Sequence, residues 1–227
     1  MNDRHRTHPR GTKVIVYGAG GHAHVVIDVL RDQGYVVEQM FNDRPDNQHP
    51  DSQNVHLGIR RVGADSFPDL SDPLVLCVGN NAERAELDRL LTATYVTACH
   101  STAIIAPSAR VGEGSVVLHG AIVQNNSVIG RHALINTAAS IDHDNVIGDF
   151  AHISPHATLC GHVEVGEGTH IGAGATVIPS VKIGKWCTIG AGAVVLHDLM
   201  DHATAVGNPA HVLEHRSGQR LPIYYDN

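Results

Sequence analysis

The sequence predicts a mixed fold, in which a small α/β domain precedes a parallel β-helix. Between Ile105 and Val195, every sixth residue is Ile, Val or Leu, and a hexapeptide period of this kind is typical of β-helices. Near the amino terminus, Lys13 to Leu30 has the pattern of a strand, a glycine-rich loop and a helix. A second period of eighteen residues runs through the hexapeptides, at Gly112, Gly130, Gly148, Gly166 and Gly184.

The eighteen-residue period predicts a triangular prism, because three hexapeptides then complete one coil. Residues eighteen apart should stack on one another, with the aliphatic side chains inside the prism and a small residue two positions earlier at the corner. The recurring glycines are expected to need either positive φ or close backbone approach. A sandwich of short strands is the alternative, and it is disfavoured because ordinary strands do not hold one phase over such a length.

The front domain is predicted to be half of a Rossmann-like, doubly wound domain with a small parallel sheet. Its loop, Gly18 to His22, fits the G-x-G-x-x-A pattern and would offer N–H groups to a phosphate, although a tight turn without a ligand can have the same sequence. The strands should end at one shared edge, where such sheets bind ligands. The predicted elements are strands Val14–Tyr17, Val36–Phe41 and Leu74–Val78, helices Ala23–Arg31 and Ala82–Leu91, and a connector over Gly58–Asp65.

Changes in pattern along the chain predict four segments. Residues 1–12 are basic, polar and aperiodic, and we expect a disordered terminus there. Residues 13–98 are assigned to the α/β domain and residues 99–200 to the β-helix. The hexapeptide phase is lost after His197, so residues 201–227 are expected to form a cap and a polar tail.

Composition narrows the classes of function. A net charge of −7, with acidic residues spread along the chain, argues against a nucleic-acid-binding surface. The four cysteines lack C-x-x-C spacing, and we recognise neither a signal peptide nor an apolar run long enough for a bilayer. We therefore expect a cytoplasmic protein with reduced cysteines and no membrane partner.

Four stretches of the chain carry a family resemblance, which spans nearly all of the sequence after residue 12. They are Tyr17–His22, Ile135–Thr137 with Ile141–Asp144, Phe150–Ser154, and Val206–Ala210. In these stretches the chain resembles the hexapeptide-repeat sugar O-/N-acyltransferases of the sialic acid O-acetyltransferase type, and it is also similar to the bacterial nucleotide-4-amino-sugar N-acetyltransferases. The resemblance implies a left-handed β-helix, acetyl-CoA as co-substrate, and a homotrimer with active sites between subunits.

The sequence Asp142-His143-Asp144 holds the candidate catalytic pair. Acyl transfer from a thioester needs a base for the acceptor's proton, and a carboxylate beside a histidine fixes its tautomer and raises its basicity. The resemblance assigns the catalytic roles to His143 and Asp144. A solvated surface corner is the alternative interpretation of the same residues.

Further candidate residues lie at fixed spacings from His143. Gly161 should stack over it, where a backbone N–H can bind the thioester carbonyl. His152 should point outward from a flat face, half a coil away, so the two histidines can share a site only across a subunit boundary; an unpaired surface histidine is the alternative. The resemblance assigns Asn136, with His152 and Gly161, to acetyl-CoA. It assigns the nucleotide sugar to Gly20, Gly21, His22, Asn42, Asp43, Gly79 and Asn80, and His22 is expected to reach towards the sugar.

We therefore predict an enzyme that moves an acetyl group from acetyl-CoA to the amino group of a nucleotide-linked amino sugar. The resemblance favours the 4-amino group of a UDP- or GDP-linked deoxysugar. O-acetylation of a sugar or of sialic acid is a close alternative, since the same base serves a hydroxyl. A nucleotide-sensing or NAD-binding module without catalysis is another. A zinc lyase of the γ-carbonic anhydrase type is disfavoured, and we expect no metal. The histidines of a zinc site must converge on the ion, whereas the candidate histidines are predicted to lie on different faces of the prism: His152, His156, His162 and His170.

Overall fold

A four-stranded parallel sheet with two helices forms the first part of the chain. The computed structural model describes residues 8–41, 60–62 and 70–213. The strands lie in the order β3-β2-β1-β4, as expected for half of a doubly wound domain. The elements are β1 (Lys13–Tyr17), α1 (Gly21–Asp32), β2 (Val36–Phe41), β3 (Arg60–Val62), β4 (Leu74–Leu76) and α2 (Asn81–Leu90).

Three boundaries in this part differ from the sequence prediction. The first helix begins at Gly21, so His22 lies in its first turn and not in the preceding loop. The predicted connector contains β3, a short edge strand whose pairing with β2 the local sequence does not signal. The second helix begins at Asn81, because the Asn80 side chain accepts a hydrogen bond from the Glu83 N–H and caps the helix.

The rest of the described chain is a parallel solenoid of about six coils, consistent with a left-handed β-helix. Its strands form three faces: the β14 face (β5, β8, β11, β14, β17, β20, β22), the β12 face (β6, β9, β12, β15, β18, β21) and the β13 face (β7, β10, β13, β16, β19). The strands are β5 Ala98–Cys99, β6 Ile104–Ile105, β7 Arg110–Val111, β8 Val116–Val117, β9 Ile122–Val123, β10 Val128–Ile129, β11 Leu134–Ile135, β12 Ser140–Ile141, β13 Val146–Ile147, β14 His152–Ile153, β15 Thr158–Leu159, β16 Glu164–Val165, β17 His170–Ile171, β18 Thr176–Val177, β19 Lys182–Ile183, β20 Thr188–Ile189, β21 Val194–Val195, β22 Thr204–Val206 and β23 His211–Val212.

The predicted stacking is present throughout the solenoid. Between β5 and β21, strands that pair on one face are parallel and eighteen residues apart, as in Ile135 with Ile153 and Ile153 with Ile171. The last parallel pairing on the β14 face, Thr188 with Thr204, is sixteen residues apart. Every predicted inward aliphatic position except the partly exposed Val111 is buried. The solenoid pairing extends beyond the predicted limits, since β5 already pairs with β8 and β22 still pairs with β20.

The corners of the prism contain two kinds of special backbone position, one with positive φ and one with close contact between coils. Every sixth residue from Gly114 to Gly192 has positive φ, and most of these residues are not glycine. The glycines that recur every eighteen residues are explained by close backbone approach: a Cβ on Gly112 would lie 2.5 Å from the carbonyl carbon of Gly130 on the next coil. These glycines are therefore required by close backbone approach and not by a left-handed turn.

The α/β domain covers part of the β14 face. The outward side chains of Val116, Leu118 and Leu134 on that face are buried in one cluster with Val26 and Leu30 of α1. Apolar burial of this kind, worth roughly 25 cal/mol per Å², holds the front sheet against the prism. The same contact decides which of the outward-facing histidines are hidden.

Candidate active site

The predicted catalytic pair lies at the corner between the β12 and β13 faces. The backbone N–H of His143 donates to the carboxylate of Asp142 (2.8 Å), which shapes the turn, and Asp144 has φ 58°. The Nδ1 atom of His143 is 2.8 Å from Oδ2 of Asp144. This contact places the proton of a neutral imidazole on Nδ1 and leaves Nε2 as an acceptor.

Asp144 is held from the coil on each side. Asn126, Asp144 and His162 are eighteen residues apart and occupy the same corner of three coils. The amide nitrogen of Asn126 donates to Oδ1 of Asp144 (3.1 Å), and Nε2 of His162 is 3.8 Å from Oδ2. The hydrogen bond with His143 lowers the pKa of Asp144, and the bond from Asn126 lowers it further. The carboxylate is therefore kept ionised and oriented.

Gly161 lies against the imidazole of His143, as the eighteen-residue period predicts. A Cβ on Gly161 would be 2.6 Å from Cε1 and 2.7 Å from Nε2 of His143. A glycine is thus needed here to leave the ring in its place, and the Gly161 backbone lies beside Nε2.

His152 points out of the β14 face but is not a surface residue. It is 4% exposed, because the α/β domain covers this part of the face. Burial lowers the pKa of His152 well below its ordinary value, and the charges of His170, Arg84 and His22 lower it further. The interpretation of His152 as an exposed, unpaired histidine is therefore wrong: its ring stacks on His170 with centroids 4.8 Å apart.

Asn136 sets the tautomer of His152. Its Oδ1 accepts the N–H of Thr137 (2.8 Å), so its Nδ2 is directed at His152, 3.1 Å from Nε2. Nε2 of His152 must then accept, and the proton of the neutral ring lies on Nδ1. Nδ1 is buried and has no hydrogen-bond partner among the described residues. It is a preformed donor without an acceptor.

The predicted nucleotide-binding residues that the structure describes lie at the carboxyl edge of the front sheet. The Gly18 N–H donates to the Phe41 carbonyl (2.8 Å) and the Cys77 N–H to that of Tyr17 (2.7 Å), which brings the strand ends together. Gly20 and Gly21 face open space, since a Cβ on either would have no neighbour within 4 Å. Asn42 and Asp43 lie outside the described residues.

His22 is half-buried, and its Nε2 atom is fully buried. Burial lowers the pKa of His22 to about 4, with a contribution from the Arg84 charge, so the ring is neutral at physiological pH. Its Nε2 has no hydrogen-bond partner in the described part of the chain. The neighbouring Ala23 is buried in one cluster with Leu134, so the first turn of α1 lies beside the β14 face.

Two residues of α2 that the sequence analysis did not select also bind the prism. Arg84 is fully buried, and its guanidinium donates to the carbonyls of His132 (2.8 Å) and Phe150 (2.7 Å). Asn81 donates to the carbonyl of Gly168 (3.0 Å). A usable signal was present: Arg84 is three residues before Leu87, on the apolar side of the helix, where an arginine must have hydrogen-bond partners.

The histidines considered for a zinc site do not converge. His152 and His170 are stacked on the β14 face, whereas His162 lies beside His143 at another corner. Within residues 8–41 and 70–213, the group whose ligand atoms lie close enough to hold a metal is His143, Asp144 and His162, all within 4.8 Å of one another. That group contains the candidate base and its carboxylate.

Two family descriptions match the chain. Residues 13–89 match "PglD N-terminal domain", and residues 144–179 and 162–197 match "Bacterial transferase hexapeptide (six repeats)". These matches define a hexapeptide-repeat transferase with a front domain of the PglD type. No helix in the described ranges is long and apolar enough to cross a bilayer.

Solved structures place the chain more closely. PerB from Caulobacter crescentus, in complex with CoA and GDP-perosamine, is 38% identical with a TM-score of 0.82, over 89% of this chain and 97% of that one. The acetyltransferase domain of PglB from Neisseria gonorrhoeae, in complex with acetyl coenzyme A, is 34% identical with a TM-score of 0.78, over 89% and 100%. An uncharacterized protein of Acanthamoeba polyphaga mimivirus is 30% identical over 114 residues, which are 48% of this chain and 22% of the viral protein. The chain belongs to the CoA-dependent sugar N-acetyltransferases of the hexapeptide-repeat class and is close to the nucleotide-amino-sugar N-acetyltransferases, as the motifs predicted.

Proposed function

We propose that this chain transfers the acetyl group of acetyl-CoA to the amino group of a nucleotide-linked amino sugar, with His143 as the general base. The observation that carries the proposal is the His143–Asp144 contact of 2.8 Å, which leaves Nε2 free to accept a proton. The similarity to PerB, solved with CoA and GDP-perosamine, supports the two substrate classes.

The reaction is a direct transfer. The amine lone pair attacks the thioester carbonyl carbon while Nε2 of His143 takes the amine proton, and the C–S bond breaks as CoA leaves as a thiolate. The imidazolium of His143 then gives this proton to the thiolate, so that CoA departs as the free thiol and the neutral base is restored. A thioester is reactive enough for this route without a covalent enzyme intermediate. Asp144 stabilises the imidazolium that forms.

The acetyl carbonyl needs hydrogen-bond donors while negative charge develops on its oxygen. His152 supports this role because its Nδ1–H is preformed and lacks an acceptor in the described chain, and Asn136 fixes that tautomer. The Gly161 backbone beside His143 supports a second contact with the acyl donor. The predicted acetyl-CoA-binding set of His152, Gly161 and Asn136 is retained as part of the proposal.

The nucleotide would bind at the carboxyl edge of the front sheet. Gly20 and Gly21 begin α1 without a side-chain cap and face open space, which suits a diphosphate. Gly79 and His22 line the same edge. Asn80 is committed through Oδ1 to capping α2, so its side chain can offer only its amide nitrogen to a ligand. The resemblance adds Asn42 and Asp43.

The proposed assembly is a homotrimer with each site between two subunits. His143 lies at the corner between the β12 and β13 faces and His152 lies on the third face, so one prism turns them away from each other. Subunit mixing tests this arrangement. Chains with His143→Ala and chains with His152→Ala, each inactive alone, should regain activity when co-assembled, because some sites then combine two intact residues. No recovery in mixed assemblies would contradict a site that takes His143 from one subunit and His152 from another.

The acceptor is tested by free-thiol release from acetyl-CoA with UDP-, GDP- and dTDP-linked 4-amino sugars, beside their 4-hydroxy counterparts. Turnover with an amino sugar is the expected result. Turnover only with hydroxy sugars or with sialic acid would move the acceptor to oxygen and keep the base. No thiol release and no CoA binding would refute the proposed function.

A further inference from the structure

One corner of the prism presents a column of carbonyl groups to the front domain. His132, Phe150 and Gly168 are eighteen residues apart and lie at the corner between the β13 and β14 faces on three successive coils. Each has positive φ (50°, 58° and 65°). All three carbonyls accept hydrogen bonds from the first turn of α2: those of His132 and Phe150 from Arg84, and that of Gly168 from Asn81.

Arg84 also holds the loop that precedes α2. Nη1 of Arg84 donates to the Val78 carbonyl (2.8 Å) and lies 3.5 Å from that of Gly79. Nη2 donates to Oδ1 of Asn81 (2.9 Å), which orients the Asn81 amide towards the prism. The planar guanidinium thus joins the loop to two coils, and a lysine ammonium lacks the fork geometry for this set.

The burial of Arg84 requires this full set of contacts. The residue is 0% exposed, and a buried charge is costly unless it is hydrogen-bonded. A second tie lies further along the same helix, where Oδ1 of Asp88 is 3.0 Å from Nε2 of His132 and 3.2 Å from the Arg131 guanidinium. The amino-terminal turn of α2 is therefore fixed against the prism more firmly than packing alone requires.

We propose that Arg84 and Asn81 are positioning residues, which hold the Gly79–Asn80 loop at a fixed distance from the prism so that a nucleotide-bound sugar amine reaches the acetyl thioester. This inference rests on the proposed function. We call Arg84 and Asn81, with the hydrogen bonds that they make to the prism, the clamp. Loosening the clamp should leave nucleotide binding by the loop intact but prevent the bound amine from reaching the acyl donor. A misplacement of about 1 Å can cost roughly 10²-fold in rate.

The test compares Arg84→Lys and Asn81→Asp with Arg89→Lys, a matched exchange at an exposed position of the same helix. Asn81→Asp keeps the oxygen that accepts from Arg84 but replaces the donor to Gly168 with a carboxylate, so it disturbs folding least. We expect kcat to fall at least tenfold in both clamp variants, at temperatures where each is folded. The dissociation constants of GDP or UDP alone, and of CoA, should change less than twofold, and Arg89→Lys should match wild type.

An unchanged kcat in folded Asn81→Asp would overturn the positioning role and leave Arg84 and Asn81 as structural residues. An equal loss of kcat and of nucleotide affinity would also overturn it, because the loop itself would then have been damaged. If the wild-type chain shows no acetyl transfer, the proposed function fails separately. Hydrogen exchange then tests whether Arg84 and Asn81 hold the loop in place: the amides of residues 78–82 must exchange faster in Asn81→Asp than in wild type, while those of the prism coils do not.

Discussion

Nδ1 of His143 lies 2.8 Å from Oδ2 of Asp144, and the carboxylate that makes this contact is itself held by Asn126 on the preceding coil. A general base works only when its free nitrogen is aimed at the acceptor. Because equivalent corners stack on one another, the preceding coil fixes the carboxylate of Asp144, and this carboxylate holds the His143 imidazole in one orientation.

Replacement of His143 by alanine should lower kcat by roughly 10²–10⁴-fold, because the amine then loses its proton acceptor. The dissociation constant for CoA and the oligomeric state should be unchanged. Thiol-release kinetics measure kcat, calorimetry measures the dissociation constant for CoA, and sedimentation measures the oligomeric state. His156→Ala is the control, since His156 is an exposed histidine at another corner. Full activity of the His143 variant would remove the role assigned to it.

Asp144→Asn should lower kcat by about tenfold or more, because the neutral amide no longer stabilises the imidazolium and its NH2 group can hold the imidazole in the wrong tautomer. Asparagine tolerates the positive φ of this position, so the free energy of unfolding should change little. Steady-state kinetics and urea unfolding separate the two effects. A large loss of stability with normal kcat per folded molecule would make Asp144 a structural residue.

Gly161→Ala should lower kcat by up to about 10²-fold, since the added Cβ would lie 2.6 Å from the His143 ring and displace it. Gly192→Asn is a suitable control, because it adds a side chain in open space at a positive φ that asparagine accepts. Kinetics of both variants at equal folded concentration decide the matter. Wild-type turnover in Gly161→Ala would show that the ring can move without cost.

Gly18 and Gly20 should respond differently to alanine, although they belong to one loop. Gly18 has φ 120° and a Cβ there would be 2.6 Å from the Cys77 carbonyl, so Gly18→Ala should cost about 1–3 kcal/mol of unfolding free energy. Gly20→Ala meets no neighbour and should leave stability unchanged while weakening nucleotide binding. Urea unfolding and calorimetry with GDP or UDP test the pair. Equal stability loss in both would contradict the assignment of Gly20 to a ligand.

The free energy of unfolding should fall as the pH drops below about 6.5. Burial lowers the pKa of His22, His132 and His170 to about 4 in the folded chain, whereas unfolded histidines titrate near 6.5. Between these values the unfolded state binds more protons, so acid favours unfolding. Urea unfolding at pH 7.5 and pH 5 should show the loss, and His170→Gln should reduce it. A pH-independent stability would contradict this, because it would mean that these rings take up protons in the folded chain as readily as in the unfolded chain.

The β-helix and the position of Gly161 over His143 were predictable because every coil repeats the same spacing, so sequence distance translates directly into stacking. The burial of His152 could not be predicted from the sequence, because it depends on which face of the prism the α/β domain covers. Arg84 escaped notice because a single arginine in a polar helix resembles a solvated residue. The positive φ at each corner was hidden as well, since residues such as Phe150 and Trp186 rarely adopt it.

The measurement that tests the account most directly is the acetylation of paired nucleotide sugars that differ only in a 4-amino or 4-hydroxy group, with wild-type and His143→Ala chains side by side and the products located by tandem mass spectrometry. The account predicts one acetyl group on the amino nitrogen, formed by the wild type and lost by at least a hundredfold in the variant. Equal product from both chains, or acetyl found only on oxygen, would contradict it.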